Sequence, residues 1–228
     1  MSNQQMKGYM PAENQLRIFK PEHEMRGLWP GYPGSVWYQE GFLAGSDCRD
    51  TFQILQTKLP WQQDRIRMFG KEIITRRETA WFGDQPFAYR YSGFTRLALA
   101  WHPLLLEIRN RLRQDCKVAF NSCLANFYHD GSEGMGWHSD DEDSLDPESP
   151  IASISLGAGR RFLFRLKENH RIRREFRLEN GSLLLMDALS QQCWQHSLPV
   201  QKGVLMPRIN LTFRVMKRQS VQESRFAI

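Results

Sequence analysis

The stretch Pro207-Arg208-Ile209-Asn210-Leu211-Thr212-Phe213-Arg214-Val215 alternates strictly between two kinds of residue. Successive side chains of a strand point to opposite faces. Ile209, Leu211, Phe213 and Val215 therefore share one face, and Arg208, Asn210, Thr212 and Arg214 share the other. If the apolar face packs on a core and the polar face meets solvent, the arginines are ordinary surface charge. If the polar face lines a barrel interior, two guanidiniums with no acid nearby in sequence need an anion. A dicarboxylate suits them, because each guanidinium can hold a carboxylate through two parallel bonds. Asn126 and Tyr128, again two residues apart, could add hydrogen bonds from a neighbouring strand.

Working outward from this strand, residues 117–128, 150–156, 161–166, 175–178 and 182–186 also read as short strands. Turn-rich stretches such as 130–136 and Glu179-Asn180-Gly181 separate them. Two helices are expected upstream. One starts at a cap formed by Ser46 or Asp47 and runs to about Lys58. The other covers 103–114, with Pro103 in its first turn and Leu104, Leu105, Ile108 and Leu112 on one face. Many short strands at fairly even spacing, flanked by helices, indicate a mainly β, α+β chain built as a sandwich or jelly-roll barrel. Residues 1–35, rich in Gln, Pro, Gly and Glu, read as a loosely ordered extension. The folded domain is expected over 36–228, with helices and a lid in 36–116 and the jelly-roll core in 117–216.

The chain of 228 residues, 41% hydrophobic and 12% aromatic, can bury a sizeable core. It has no apolar run long enough to span a bilayer and no signal-peptide start, so a soluble intracellular protein is expected, cytoplasmic if bacterial and nuclear if eukaryotic. A monomer is expected. Cys48, Cys116, Cys123 and Cys193 are scattered without a C-x-x-C pair, which speaks against a disulfide framework or a cysteine zinc site. The net charge is +6. Much of the excess lies between Arg160 and Arg177, where Arg160, Arg161, Arg165, Lys167, Arg171, Arg173, Arg174 and Arg177 face only Glu168 and Glu175. Such a hairpin can supply phosphate contacts through residues such as Arg171, Arg173 and Arg174, or can be a solvated basic face.

His138 and Asp140, two apart in Trp137-His138-Ser139-Asp140, can bind one ion together, and His196 is the best third ligand. Two histidines and a carboxylate on one side of a metal form the facial triad of non-haem iron(II) oxygenases. A three-ligand zinc site is a rival reading, as are a surface histidine in an acidic loop for His138 and a satisfied core histidine for His196.

His138-Ser139-Asp140, then His196, then Arg208-Ile209-Asn210 with Arg214 resembles the AlkB family of oxidative nucleic-acid demethylases, in the branch of homologues 2 and 3. The resemblance extends through Asn126-Phe127-Tyr128, Asn180-Gly181-Ser182 and His196-Ser197-Leu198-Pro199, and covers about residues 68–216. It implies a double-stranded β-helix (cupin-like jelly roll) and iron(II) held by His138, Asp140 and His196. It implies 2-oxoglutarate held by Asn126, Tyr128, Arg208, Asn210 and Arg214, with dioxygen as second co-substrate. Met68-Phe69-Gly70-Lys71 resembles a hairpin inserted into duplex DNA with Phe69 as the wedge. Tyr89 and Tyr91 resemble a lid stacking on an extruded base, and Asp141 would sit beside the exocyclic amine of that base. The implied reaction removes methyl groups from 1-methyladenine and 3-methylcytosine as formaldehyde, in double- or single-stranded alkylated DNA. An RNA demethylase, a protein hydroxylase and a catalytically silent nucleic-acid-binding module are the competing expectations. Ser139 departs from homologue 2, which has a basic residue between the histidine and the aspartate.

Overall fold

The computed structural model describes residues 26–68, 71–91 and 94–217. Alternation like that at 207–215 recurs along the chain and builds two facing antiparallel sheets. The larger holds β1 (Arg26–Gly27), β2 (Ser35–Gln39), β12 (Leu183–Met186), β9 (Ile151–Gly157), β14 (Arg208–Arg214), β7 (Ser122–Tyr128), β4 (Lys71–Gly83) and β3 (Gln62–Met68), in that order. The smaller holds β11 (Arg173–Leu178), β10 (Arg160–Leu166), β13 (Trp194–Leu198) and β8 (Met135–His138). A separate ribbon pairs β5 (Ala88–Tyr91) with β6 (Phe94–Leu97). The architecture is the expected jelly roll.

Period-2 patterning decides which side chain meets which layer. Ile209, Leu211 and Phe213 of β14, Cys123, Ala125 and Phe127 of β7, and Ala152, Ile154 and Leu156 of β9 share an outer core cluster. Two helices cover that face. α1 (Ser46–Lys58) contributes Leu55, and α2 (Pro103–Cys116) contributes Leu105, Ile108 and Leu112. A second cluster fills the space between the sheets, joining Tyr128, Ile151, Leu184 and Met186 to Phe162, Phe164, Trp194 and Leu198. The remaining inward positions of β14 are polar, so the strand does line the barrel interior.

Several local expectations need correction. α1 begins at Ser46, and its N-cap is Gly45, which sits at φ 68 and makes no side-chain cap bond. α2 is capped by His102, whose Nδ1 accepts from Leu104 N–H at 3.3 Å, and the helix ends where Lys117 turns left-handed at φ 54. That turn is why the next strand starts at Ser122 rather than Lys117. The stretch 130–136 is not all turn, since Met135 and Gly136 already belong to β8. β3, β4, β13 and the short helix α3 (Ala188–Cys193) had no counterpart in the strand reading. All four cysteines are free, and Cys48, Cys116 and Cys123 are buried. Among the described residues, no helix is long and apolar enough to cross a membrane.

Candidate metal and co-substrate site

β13 and β8 are aligned so that His196 and His138 are register partners, with ring centroids 4.3 Å apart. Asp140 follows β8 by two residues, and its Oδ1 lies 3.8 Å from His138 Nε2. One ligand atom from each of the three lies within 4.8 Å of the others. His138 Nδ1 meets the Gly136 carbonyl at 2.8 Å, which puts the proton on Nδ1 and frees the Nε2 lone pair. His196 is buried, with Phe162 stacked on it at 5.3 Å. Its Nδ1 has no hydrogen-bond partner among the described residues. Burial and the neighbouring His138 push its pKa down to about 3, against the pull of Asp140, so the ring is a neutral donor at physiological pH.

Asp140 is buried too, which by itself would raise its pKa; the Arg214 guanidinium, with the two histidines, holds the carboxyl well below the usual range. The backbone around it is tied to its neighbours. Gln191 Oε1 accepts from the Asp140 N–H at 3.1 Å, and Ser139 Oγ donates to the Trp194 carbonyl at 2.9 Å.

The opposite wall of the same cavity is polar and cationic. Arg208, Asn210, Thr212 and Arg214 of β14 line it with Asn126 and Tyr128 of β7 and Ser153 of β9. Strand register explains the grouping, since Arg208 pairs with Tyr128 and Asn210 with Asn126. Arg208 is 2% exposed; its Nη2 donates to Ser155 Oγ at 2.9 Å, its guanidinium lies over the Tyr128 ring at 5.6 Å, and its Nε has no partner among the described residues. Among the described residues no carboxylate pairs with it. Burial lowers its pKa to about 10, with Tyr128 opposing and Arg160 adding, so it stays charged at neutral pH. A buried charge in that state calls for an anionic ligand.

Residues 35–214 match the model of the 2OG-Fe(II) oxygenase superfamily. The chain belongs to that superfamily, in its AlkB branch. The oxygenase is 43% identical over 157 residues to DNA oxidative demethylase ALKBH2 of Mus musculus, covering 66% of each chain. It is 36% identical over 201 residues to the alpha-ketoglutarate-dependent dioxygenase alkB homolog 3 of Mus musculus, covering 81% of this chain and 65% of that one. DNA oxidative demethylase ALKBH2 of Arabidopsis thaliana is 31% identical over 212 residues, 82% of this chain and 68% of its own. The oxygenase thus spans just under two thirds of the length of the two mouse relatives. A solved structure of OsALKBH1 shares the fold at TM-score 0.53 and 18% identity, covering 84% of this chain and all of that one. An oxidoreductase of the 2OG-Fe(II) oxygenase family from Burkholderia pseudomallei shares it at TM-score 0.55 and 13% identity, covering 81% of this chain and 86% of its own.

Members of this superfamily use Fe(II), 2-oxoglutarate and dioxygen, and the residues present fit those groups. His196 and Arg208 both line the cavity, and His196 Nδ1 and Arg208 Nε are buried without a hydrogen-bond partner among the described residues. Two imidazoles and a carboxylate are a donor set suited to Fe(II), and a buried guanidinium without an acid suits a carboxylate. Arg214 is the departure from the sequence reading. Its acid is Asp140, 74 positions away along the chain.

The remaining expected site residues are spread around this centre. Asp141 binds Lys167 Nζ at 2.9 Å and lines a neighbouring cavity of about 330 Å³ that shares Asp140 and Arg214 with the first. Met68 and Lys71 are cross-strand partners in β3 and β4, while Phe69 and Gly70 lie outside the described residues. Tyr89 and Tyr91 both belong to β5. The basic hairpin divides into distinct parts. Arg160 is fully buried, Arg161 pairs with Glu175 and Arg177 with Glu179. Arg165 and Arg173, cross-strand partners, both lie over the Trp137 ring, at 4.4 and 5.9 Å. Arg171 and Arg174 are exposed.

The sequence reading missed Gln191, Arg77 and Arg160. Arg77 of β4 is buried and donates to Asn126 Oδ1 at 3.0 Å, leaving the Asn126 amide nitrogen for a cavity ligand. Arg77 stands between Arg76 and Glu78 in β4, so the local charge pattern does not single it out.

Proposed function

We propose that this oxygenase removes methyl groups oxidatively from N-alkylated bases in DNA, with 1-methyladenine and 3-methylcytosine as substrates. The observation that carries the reading is one cavity bounded by His138, Asp140 and His196 on one side and by the acid-free Arg208 on the other. The names of the mouse and Arabidopsis relatives, DNA oxidative demethylases, supply the substrate class. Bound Fe(II), 2-oxoglutarate and dioxygen supply the oxidation, which hydroxylates the N-methyl group and yields formaldehyde, succinate and carbon dioxide.

The chain's own residues do the rest. His138, Asp140 and His196 would hold the metal. Arg208 would pair with a carboxylate of 2-oxoglutarate, and Tyr128, Asn126, Asn210 and Arg214 would orient it. On the nucleic-acid side, Tyr89 and Tyr91 would stack on the extruded base, and Asp141 would face its exocyclic amine, sharing Lys167. Phe69, flanked by Gly70 and Lys71, would fill the gap in a duplex. Arg171, Arg173 and Arg174 would contact phosphates. The Arg165–Trp137–Arg173 stack beside them, without an acid among the described residues, supports a polyanion on this face.

The test supplies Fe(II), 2-oxoglutarate and oligonucleotides bearing either lesion, as DNA or RNA, single- or double-stranded, and follows formaldehyde and the restored base. Formaldehyde release from methylated DNA is expected. Turnover of 2-oxoglutarate with every methylated base left intact would sink the DNA assignment.

A further inference from the structure

Arg160 is 0% exposed, yet no carboxylate contacts it among the described residues. Its Nη2 donates to the backbone carbonyls of Glu133 at 2.8 Å and Pro199 at 2.9 Å. Its Nη1 donates to the Asp130 carbonyl at 3.3 Å, and its Nε to Gln201 Oε1 at 3.4 Å. The nearby Asp130 and Glu133 carboxylates are engaged elsewhere. Asp130 accepts from Ser132 N–H and faces Arg76, and Glu133 accepts from His129 and faces Arg76.

These acceptors lie on two loops that frame the cavity. Residues 129–134 run from Tyr128 at the end of β7 to β8, which carries His138. Residues 199–207 run from β13, which carries His196, to Arg208 at the start of β14. The loops also bond each other directly, Gly131 N–H to the Val204 carbonyl and Gln201 N–H to the Gly131 carbonyl, both at 2.7 Å. Gly131 has no room for a Cβ against the Gln201 carbonyl, so the approach needs glycine there. One buried guanidinium therefore ties together the ends of four strands, and each strand brings a cavity residue.

Arg160 also acts at a distance. Burial lowers its pKa while Tyr128 raises it, and the same Tyr128 raises that of Arg208, which Arg160 lowers. The two buried cations thus disfavour each other's charge.

We propose that Arg160 is a positioning residue for the co-substrate: by knitting the 129–134 and 199–207 loops it fixes Tyr128 and Arg208 where a dicarboxylate in the cavity can meet them. This rests on 2-oxoglutarate being the occupant. A plain structural role would lower stability and turnover together. A positioning role changes affinity for 2-oxoglutarate selectively.

The test uses the full chain with Arg160→Met and Arg160→Lys. Calorimetry with Mn(II) in place of iron gives the Kd for 2-oxoglutarate without turnover, and activity with Fe(II) gives KM and kcat separately. Arg160→Met is expected to raise Kd and KM about tenfold or more while kcat at saturating 2-oxoglutarate stays near the parental value. Arg160→Lys, which keeps the charge but not the fan of bonds, falls between. A folded Arg160→Met with parental Kd overturns the proposal. If Arg160→Met does not fold, Gln201→Ala, which removes the acceptor shared by Arg160 Nε and the Arg161 N–H, must raise the same Kd, and an unchanged value there overturns it as well. Failure of the parent chain to bind 2-oxoglutarate would overturn the reading of the cavity along with this proposal, whereas normal parental binding with indifferent variants overturns this proposal alone.

Discussion

Arg214 donates from both Nη2, at 2.7 Å, and Nε, at 3.2 Å, to a single oxygen of Asp140, Oδ2. Oδ1 is left as the oxygen facing His138 Nε2. The pair does two things at once: it keeps the carboxylate ionised in a buried place, and it sets which oxygen is presented to a metal. Arg214→Lys keeps the charge but loses the fork. Its metal affinity is expected to fall by about 10- to 100-fold, with the circular dichroism spectrum retained. Metal titration of the variant checks this, and parental affinity would show that the fork does not orient the ligand.

The two faces of β14 should respond differently to truncation. Leu211 is fully buried in the outer core, and Leu211→Ala should destabilise the protein by about 2–5 kcal/mol. Arg208→Ala removes a buried charge that has no acid partner among the described residues, so the melting temperature of the ligand-free protein should not fall comparably. The stabilisation that added 2-oxoglutarate confers should instead disappear. Thermal melts of both variants with and without 2-oxoglutarate separate the two effects; a normal ligand shift in Arg208→Ala would contradict the assignment.

His196 sets a pH dependence of the metal-free protein. Its native pKa is pushed down to about 3, by burial first. Its unfolded value is about 6.5, so between the two the unfolded chain binds a proton that the native chain does not. The stability this group contributes is fully present above about pH 6.5 and is lost as pH falls toward the native value, by up to about 1.4 kcal/mol per pH unit. His196→Gln should show a shallower fall in urea-unfolding free energy from about pH 6.5 to about pH 4.5. Parallel slopes for the two proteins would mean that His196 is not held neutral.

The basic hairpin should govern non-specific affinity for DNA. Arg171 and Arg174 are exposed, and Arg173 leans over Trp137 without an acid partner among the described residues. Replacing all three with Ala should flatten the dependence of log affinity on log salt by about 0.9 for each duplex phosphate that is no longer neutralised. Binding isotherms at several salt concentrations measure the slope, and the parental slope would reduce these residues to solubilising charge.

Strand preference should turn on Phe69. Unstacking a base step costs a few kcal/mol, and an inserted ring can recover part of that; a single strand has no hole to fill. Phe69→Ala should therefore impair repair of a lesion in duplex DNA far more than repair of the same lesion in a single strand, with melting unchanged. A core phenylalanine would instead cost about 3–5 kcal/mol and lower both activities together. Assaying both substrates alongside a melt decides between them.

Much of this protein is written in short-range pattern. The period of two along 208–214, the helical spacing of Leu105, Ile108 and Leu112, and the two-residue spacing of His138 and Asp140 are all local, so the sequence by itself determined those elements and the side each residue takes. Pattern does not say which layer a face will meet. Only the tertiary structure decided that Arg208 and Arg214 look into the barrel, because that depends on α1 and α2 covering the opposite face of the sheet. Pairings across the chain were equally out of reach. Asp140 with Arg214, Arg77 with Asn126, and Arg160 with the 129–134 and 199–207 loops are made by strand register and loop closure. An arginine in a basic run reads the same whether it ends in solvent, like Arg174, or at the centre of a knot of carbonyls, like Arg160. The difference arises when the folded chain withdraws one guanidinium from water and leaves the other in it.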